Sequence, residues 1–194
     1  IIPTIVNTYL IPILKQLNHE YQIRFRTGWT SDIINAIKKG KYDFGICSKE
    51  DDSTLTYLPL LSEELVLITT KNHPLSQKDN VTLEDIIKYP LITYHHDLAI
   101  AQPIKKLFED KHLKPHILYE LDDETSIASM VSQDFGIGLT ANNDNLKPFD
   151  NIEIIHLHLK QDLRTIYLVY NSMKELSKAA YQLIDYLFNN HYQL

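Results

Sequence analysis

The segment Phe25–Ser48, FRTGWTSDIINAIKKGKYDFGICS, limits the chain to few folds. Ile23 and Phe25 alternate with polar neighbours, which predicts a half-buried strand. Gly28 turns the chain. Thr30 or Ser31 caps a helix whose apolar face is Ile33, Ile34 and Ile37. Gly40 sits where a helix ends in a left-handed residue, and Asp43–Cys47 follows as a short buried strand. Two strands joined by a crossover helix predict parallel pairing. In such sheets the loops at the carboxyl ends of the strands form the ligand crevice. Those loops are Gly28–Ser31 and Cys47–Lys49.

The rest of the chain keeps this rhythm. A helix is expected over Val6–His19, with Pro12 kinking it or shifting its start. Extended segments follow from Leu55 to Thr70. Asn72-His-Pro-Leu is a turn, Thr82–Asp85 opens a short helix as a capping box, and Pro90 ends it. Strands are expected at Leu91–Tyr94, Ile117–Leu121, Gly136–Thr140, Glu153–Leu159 and Thr165–Tyr170. Helices are expected at Leu98–His112, Thr125–Gln133 and Glu175–Phe188. Alternating strands and helices make an α/β protein.

Composition removes several classes of function. At 194 residues the chain can bury a real core. Nothing approaches the roughly 18 consecutive apolar residues of a transmembrane helix. The start, Ile1-Ile-Pro-Thr, has no basic region before a long apolar run, so it does not read as a secretory signal. It reads as the interior of a longer protein, just after a first strand. A single cysteine, Cys47, excludes an internal disulfide and fits a reducing cytoplasm. Net charge is −6 and the only arginines are Arg24, Arg26 and Arg164, which argues against this piece gripping DNA phosphates by itself.

Motifs in order resemble one family. Gly28 with Thr30 and Ser31, the aliphatics Ile33, Ile34 and Ile37, and Gly40-Lys-Tyr-Asp43-Phe-Gly-Ile46 come first. Asn72-His73-Pro74-Leu75, Leu83-Glu84-Asp85 and Pro90-Leu91-Ile92 follow, then Phe135-Gly136-Ile137-Gly138 and Tyr167-Leu168-Val169-Tyr170. Together they resemble the effector-binding domain of LysR-type transcriptional regulators across essentially all 194 residues. The resemblance implies a two-lobed, periplasmic-binding-protein type II-like fold with a cleft between two Rossmann-like lobes. Lobe one would be 1–70 plus 164–194, and lobe two 71–163. It further implies an N-terminal winged helix-turn-helix upstream, homodimers of this domain, tetramers of the whole protein and a cytoplasmic setting. Helices Val6–His19 and Ile127–Gln133 are the candidate interface elements.

The implied activity is sensing of a small anionic or carboxylate metabolite. Ligand-binding candidates are Pro3, Thr4, Trp29, Thr30, Ser31, Cys47, Ser48, Tyr94, His95, His96, Thr125, Ser126, Gly138 and Thr140. Thr4, Thr30, Ser31, Thr125 and Ser126 fall at expected helix starts, where free N–H groups and the dipole favour anions. Such residues also serve as ordinary caps, but their recurrence at the crevice loops favours binding. Trp29 replaces the small polar residue common in the family; it either walls the pocket or packs the lobes. Cys47 reads as a small hydrophobe lining the crevice rather than a redox sensor, having no partner thiol. Asp134 stands where relatives carry glycine, and aspartate tolerates the left-handed turn.

No metal or cofactor is expected. His95 and His96 would point to opposite faces of a strand and chelate poorly. His156 and His158 share a strand face but lack a third ligand. Asp122-Asp-Glu124 reads as solvated helix-start charge. No nucleophile elbow, phosphate loop or metal triad is present, so an enzyme is not expected; Asp43-Phe44-Gly45 lacks the companions of a kinase motif. A stand-alone solute-binding protein is the alternative, with an enzyme on the same scaffold behind it.

Overall fold

The computed structural model describes residues 1–2, 5–6, 10–16, 22–159 and 164–189. The chain divides into two compact units, Ile1–Leu61 with Thr165–Leu194, and Ser62–Arg164.

The first unit holds helices α1 (Ile11–Gln16), α2 (Thr30–Lys38) and α6 (Lys178–Asn189), and a three-stranded sheet ordered β1 (Phe44–Ser48), β8 (Arg164–Asn171), β2 (Leu55–Glu63). Strands β2 and β8 carry the chain from one unit to the other. Helix α1 is described over Ile11–Gln16, within the helix expected over Val6–His19, whose residues 7–9 and 17–19 lie outside the described residues. In α2, Ile33, Ile34 and Ile37 are buried against Ile46, Cys47, Ile166 and Val169. Gly40, at φ 71°, closes α2: its N–H donates to the Ile37 carbonyl, and that of Lys41 donates to Ala36. This is the left-handed helix ending that glycine supplies without steric cost.

Two expectations for this unit fail. Residues 22–29 form no strand, and β1 pairs antiparallel with β8, Phe44 opposite Tyr170 and Ser48 opposite Ile166. Ile1 and Ile2 take the expected place beside β1: Ile2 N–H donates to the Ile46 carbonyl at 3.0 Å, and Gly28 N–H donates to the Ile1 carbonyl at 3.1 Å. The Ile23/Phe25 alternation is only half realised: Ile23 packs against the Leu168 cluster and Ile1 N–H donates to the Arg26 carbonyl at 3.0 Å, but Phe25 is exposed. Gly28 has no forced turn either; an added Cβ there would meet nothing nearer than 4.0 Å.

The second unit is a five-stranded sheet ordered β5 (Ile117–Leu121), β4 (Leu91–Tyr94), β6 (Ile137–Ala141), β3 (Leu65–Thr70), β7 (Ile152–His156). Strand β4 runs parallel to β5 and β6, while β3 is antiparallel to β6 and β7. The first junction therefore lies within β2 rather than near Thr70, because Leu65–Thr70 hydrogen-bond to β6 and β7. Helices α3 (Leu83–Ile86), α4 (Ala101–Glu109) and α5 (Glu124–Ser132) complete the unit. Thr82 and Asp85 form the expected capping box, and Asp85 also pairs with Lys78 and Lys88. Asp134 does adopt the left-handed conformation, φ 63°, just past α5.

Helix α5 turns Ile127, Ala128 and Val131 into its own core. Its inner face is thus taken by the sheet, while Thr125, Ser129 and Gln133 stay exposed. Gly138 on β6 is why the helix comes so close. A Cβ there would lie 2.7 Å from Ile68 Cγ1, 2.9 Å from Val131 Cγ2 and 3.0 Å from Ile127 Cγ2. This glycine serves helix–sheet packing, its side-chain direction being filled by Ile68, Val131 and Ile127.

Candidate functional site

Helix α2 runs back along β1, with Ile33 and Ile37 over Gly45. The start of α2 and the carboxyl end of β1 therefore share one end of the first unit, bringing Trp29, Thr30, Ser31, Cys47 and Ser48 there. Trp29, 43% exposed, precedes the helix and is no core residue. No side chain caps α2. Thr30 and Ser31 are its first two residues rather than its caps, leaving the leading amides to water or a ligand. Ser48 is buried, and among the described residues its Oγ has no hydrogen-bond partner. Buried hydroxyls are rarely left so. Cys47 is fully buried, and burial pushes its thiol up to about 12, which fits a packing role and removes thiolate chemistry at neutral pH. Pro3 and Thr4 lie outside the described residues.

On the second unit, Tyr94 and Thr140 meet a residue the sequence reading had placed in solvent. Glu124 is 1% exposed. The Tyr94 hydroxyl donates to Glu124 Oε1 at 2.6 Å, lies 3.0 Å from Thr140 Oγ1, and accepts from the Ala141 N–H at 3.0 Å. Glu124 Oε2 has no hydrogen-bond partner among the described residues. Burial raises the Glu124 carboxyl above its ordinary range, while the Tyr94 hydrogen bond pulls the other way. Nearby, Glu63 and Arg164 form an ion pair with both side chains largely out of solvent. Glu124 was legible after all: with Ile127, Ala128 and Val131 it repeats at helical spacing on the inner stripe.

The neighbouring candidates divide. Asp123 caps α5, its Oδ1 accepting from Ser126 N–H at 2.8 Å and its Oδ2 from Ser126 Oγ at 2.9 Å. The Ser126 hydroxyl is thus committed to the cap, while Thr125 is exposed beside it. His95 and His96 lie beyond the end of β4, so strand alternation does not separate them. Their rings stack with centroids 4.4 Å apart. His96 Nδ1 is 2.9 Å from Glu120 Oε2, which raises the His96 pKa. His156 instead pairs with Glu64 at 2.8 Å, and His158, at φ 47°, leaves the strand alternation.

Among the described residues no helix is long and apolar enough to cross a membrane. Residues 1–191 match the family model of the LysR substrate binding domain. The chain belongs to this family. It is similar to the HTH-type transcriptional regulator Cbl of Klebsiella aerogenes, 28% identical over 165 residues, which are 82% of this chain and 51% of that protein. Cbl of Escherichia coli strain K12 is 31% identical over 134 residues, 68% of this chain and 42% of the relative. The chain thus spans about half the length of these curated relatives, all of them named as transcriptional regulators. Among solved structures, the effector-binding domain of QuiR in complex with shikimate superposes with a TM-score of 0.86 at 26% identity, covering 97% of this chain and 93% of that one. The LysR effector-binding architecture, periplasmic-binding-protein type II-like, is therefore the fold of this domain, and effector binding is its function.

Proposed function

We propose that this effector-binding domain recognises a small hydroxylated metabolite carrying a carboxylate or similar anion. The observation that carries the reading is the uncapped start of α2 at the same end of the unit as the buried, unpartnered Ser48 hydroxyl. Unpaired helix-start amides attract an anion, and the hydroxyl supplies or accepts one further hydrogen bond. The QuiR domain, with its bound shikimate, supports a hydroxy acid. On the second unit the exposed Thr125 at the start of α5 is a further contact candidate. The domain acts by binding rather than catalysis, in the cytoplasm. It is linked in the whole protein to an N-terminal winged helix-turn-helix that contacts DNA, with homodimers of this domain building a tetramer. The effector's differential affinity for two states of the domain limits the signal it passes on.

The test is a thermal-shift and calorimetry screen of hydroxy acids, amino acids and aromatic acids against uncharged analogues. A ligand at about 100 times its dissociation constant stabilises by about 2.7 kcal/mol. Thr30→Pro removes one α2 amide at a position where proline suits a helix start. Trp29 already has the extended backbone, φ −78° and ψ 158°, that a following proline requires. Anionic hits should weaken about tenfold in Thr30→Pro and in Ser48→Ala, as expected for a lost charge-assisted hydrogen bond. Hits confined to uncharged or cationic compounds would refute the proposal.

A further inference from the structure

The cluster at the carboxyl ends of β4 and β5, on the second unit, is not used by the reading above. We propose that His95, His96 and Glu120 hold a divalent transition-metal ion of the zinc class. One ligand atom from each lies within 4.8 Å of the others. Ions of this class bind imidazole nitrogen and carboxylate oxygen at about 2.0–2.2 Å, which puts neighbouring ligands about 3.3 Å apart in a tetrahedron. His96 Nδ1 and Glu120 Oε2 are already 2.9 Å apart.

The backbone beneath the three residues is fixed. Thr93 and Tyr94 pair in register with Glu120 and Leu121. His95 N–H donates to the Leu121 carbonyl at 2.8 Å, and Gln102 Nε2 donates to the His96 carbonyl at 3.0 Å. The side chains above this frame stay accessible, so an ion reaches them without opening the fold. Asp97 adds a second carboxylate, Oδ1 3.4 Å from His96 Nε2 and Oδ2 3.7 Å from His95 Nδ1. Facing the His96 nitrogen away from Glu120, it orients that ring rather than joining the ligand set. A metal ion replaces the proton that now bridges His96 and Glu120. Two imidazoles with carboxylate favour zinc, cobalt, nickel and copper over magnesium, which prefers all-oxygen sites. His96 and Glu120 also line a cavity of about 700 Å³ under α4, so the ion would sit at its rim.

His156 and Glu64 make an internal comparison. They form a similar imidazole–carboxylate pair at 2.8 Å, yet join no such three-ligand group among the described residues.

The test titrates the metal-free domain, lacking any polyhistidine tag, with Co²⁺ by absorbance and with Zn²⁺ by equilibrium dialysis. One ion per chain is expected, bound more tightly as Zn²⁺ than as Co²⁺ and not displaced by Mg²⁺. His95→Ala, His96→Ala and Glu120→Gln should each weaken it at least about tenfold, and His156→Ala should leave it unchanged. These residues are on the surface, and unaltered circular dichroism verifies each fold. Affinity retained in His96→Ala or Glu120→Gln, loss in His156→Ala, or displacement by Mg²⁺ overturns the proposal.

Discussion

Removing the Tyr94 hydroxyl tests the buried network directly. Tyr94→Phe keeps the ring in the core but leaves the Ala141 N–H and Glu124 Oε1 without the partners they now have at 3.0 and 2.6 Å. Each buried group so stranded costs about 1–3 kcal/mol, so the variant should lose roughly 2–6 kcal/mol near neutral pH. The loss must also depend on pH. Burial already lifts the Glu124 carboxyl above its ordinary 4.5, and the Tyr94 hydrogen bond restrains that rise. A carboxyl whose folded pKa is raised contributes its full stability below the unfolded pKa and loses it as pH climbs through the folded value. Without Tyr94 the folded value climbs further, and each added unit costs about 1.4 kcal/mol once pH exceeds it. Urea unfolding followed by circular dichroism should show a modest deficit at about pH 4.5 and a larger one at about pH 8. In a Glu124→Gln background the pH-dependent part should vanish. A deficit under about 0.5 kcal/mol, or one equal at both pH values, would refute the reasoning.

Three further outcomes follow from the packing. Gly138→Ala should destabilise by about 1–3 kcal/mol, because its methyl meets three branched side chains within 3.0 Å; an unchanged unfolding midpoint would return Gly138 to the list of ligand contacts. Arg164→Met should cost about 3–5 kcal/mol by stranding the buried Glu63, and adding Glu63→Met should recover most of it; a double variant no better than the single one would count against the ion-pair explanation. Cys47, fully buried and raised to about 12, should resist a disulfide reagent at about pH 8 until urea is added; rapid labelling of the native domain would contradict its burial.

Local signals carried most of the architecture. Short aliphatic runs marked β3, β4 and β6, and turn chemistry marked the ends of α2 and α5, down to the left-handed Asp134. One failure came where a distant segment decides the outcome, and two where a local boundary or register decides it. Ile23 and Phe25 alternate like a strand, but Ile1–Ile2 takes the hydrogen bonds beside β1. Strand alternation was applied to His95 and His96 although β4 stops at Tyr94. Glu124 was judged by charge when its helical register with Ile127 and Val131 already pointed inward. Among the site candidates, Ser48 keeps an unpartnered hydroxyl among the described residues and Thr30 opens a helix without a side-chain cap, while Gly138 packs against α5 and Ser126 bonds its cap.

The close approach at Gly138 has a mechanical consequence. With no room for one more carbon between α5 and β6, the helix has no slack to slide or roll on its sheet. The first turn of α5, with Glu124 anchored and Thr125 exposed, is thus the end of a stiff lever. Any displacement of that turn is therefore resisted by the sheet beneath it.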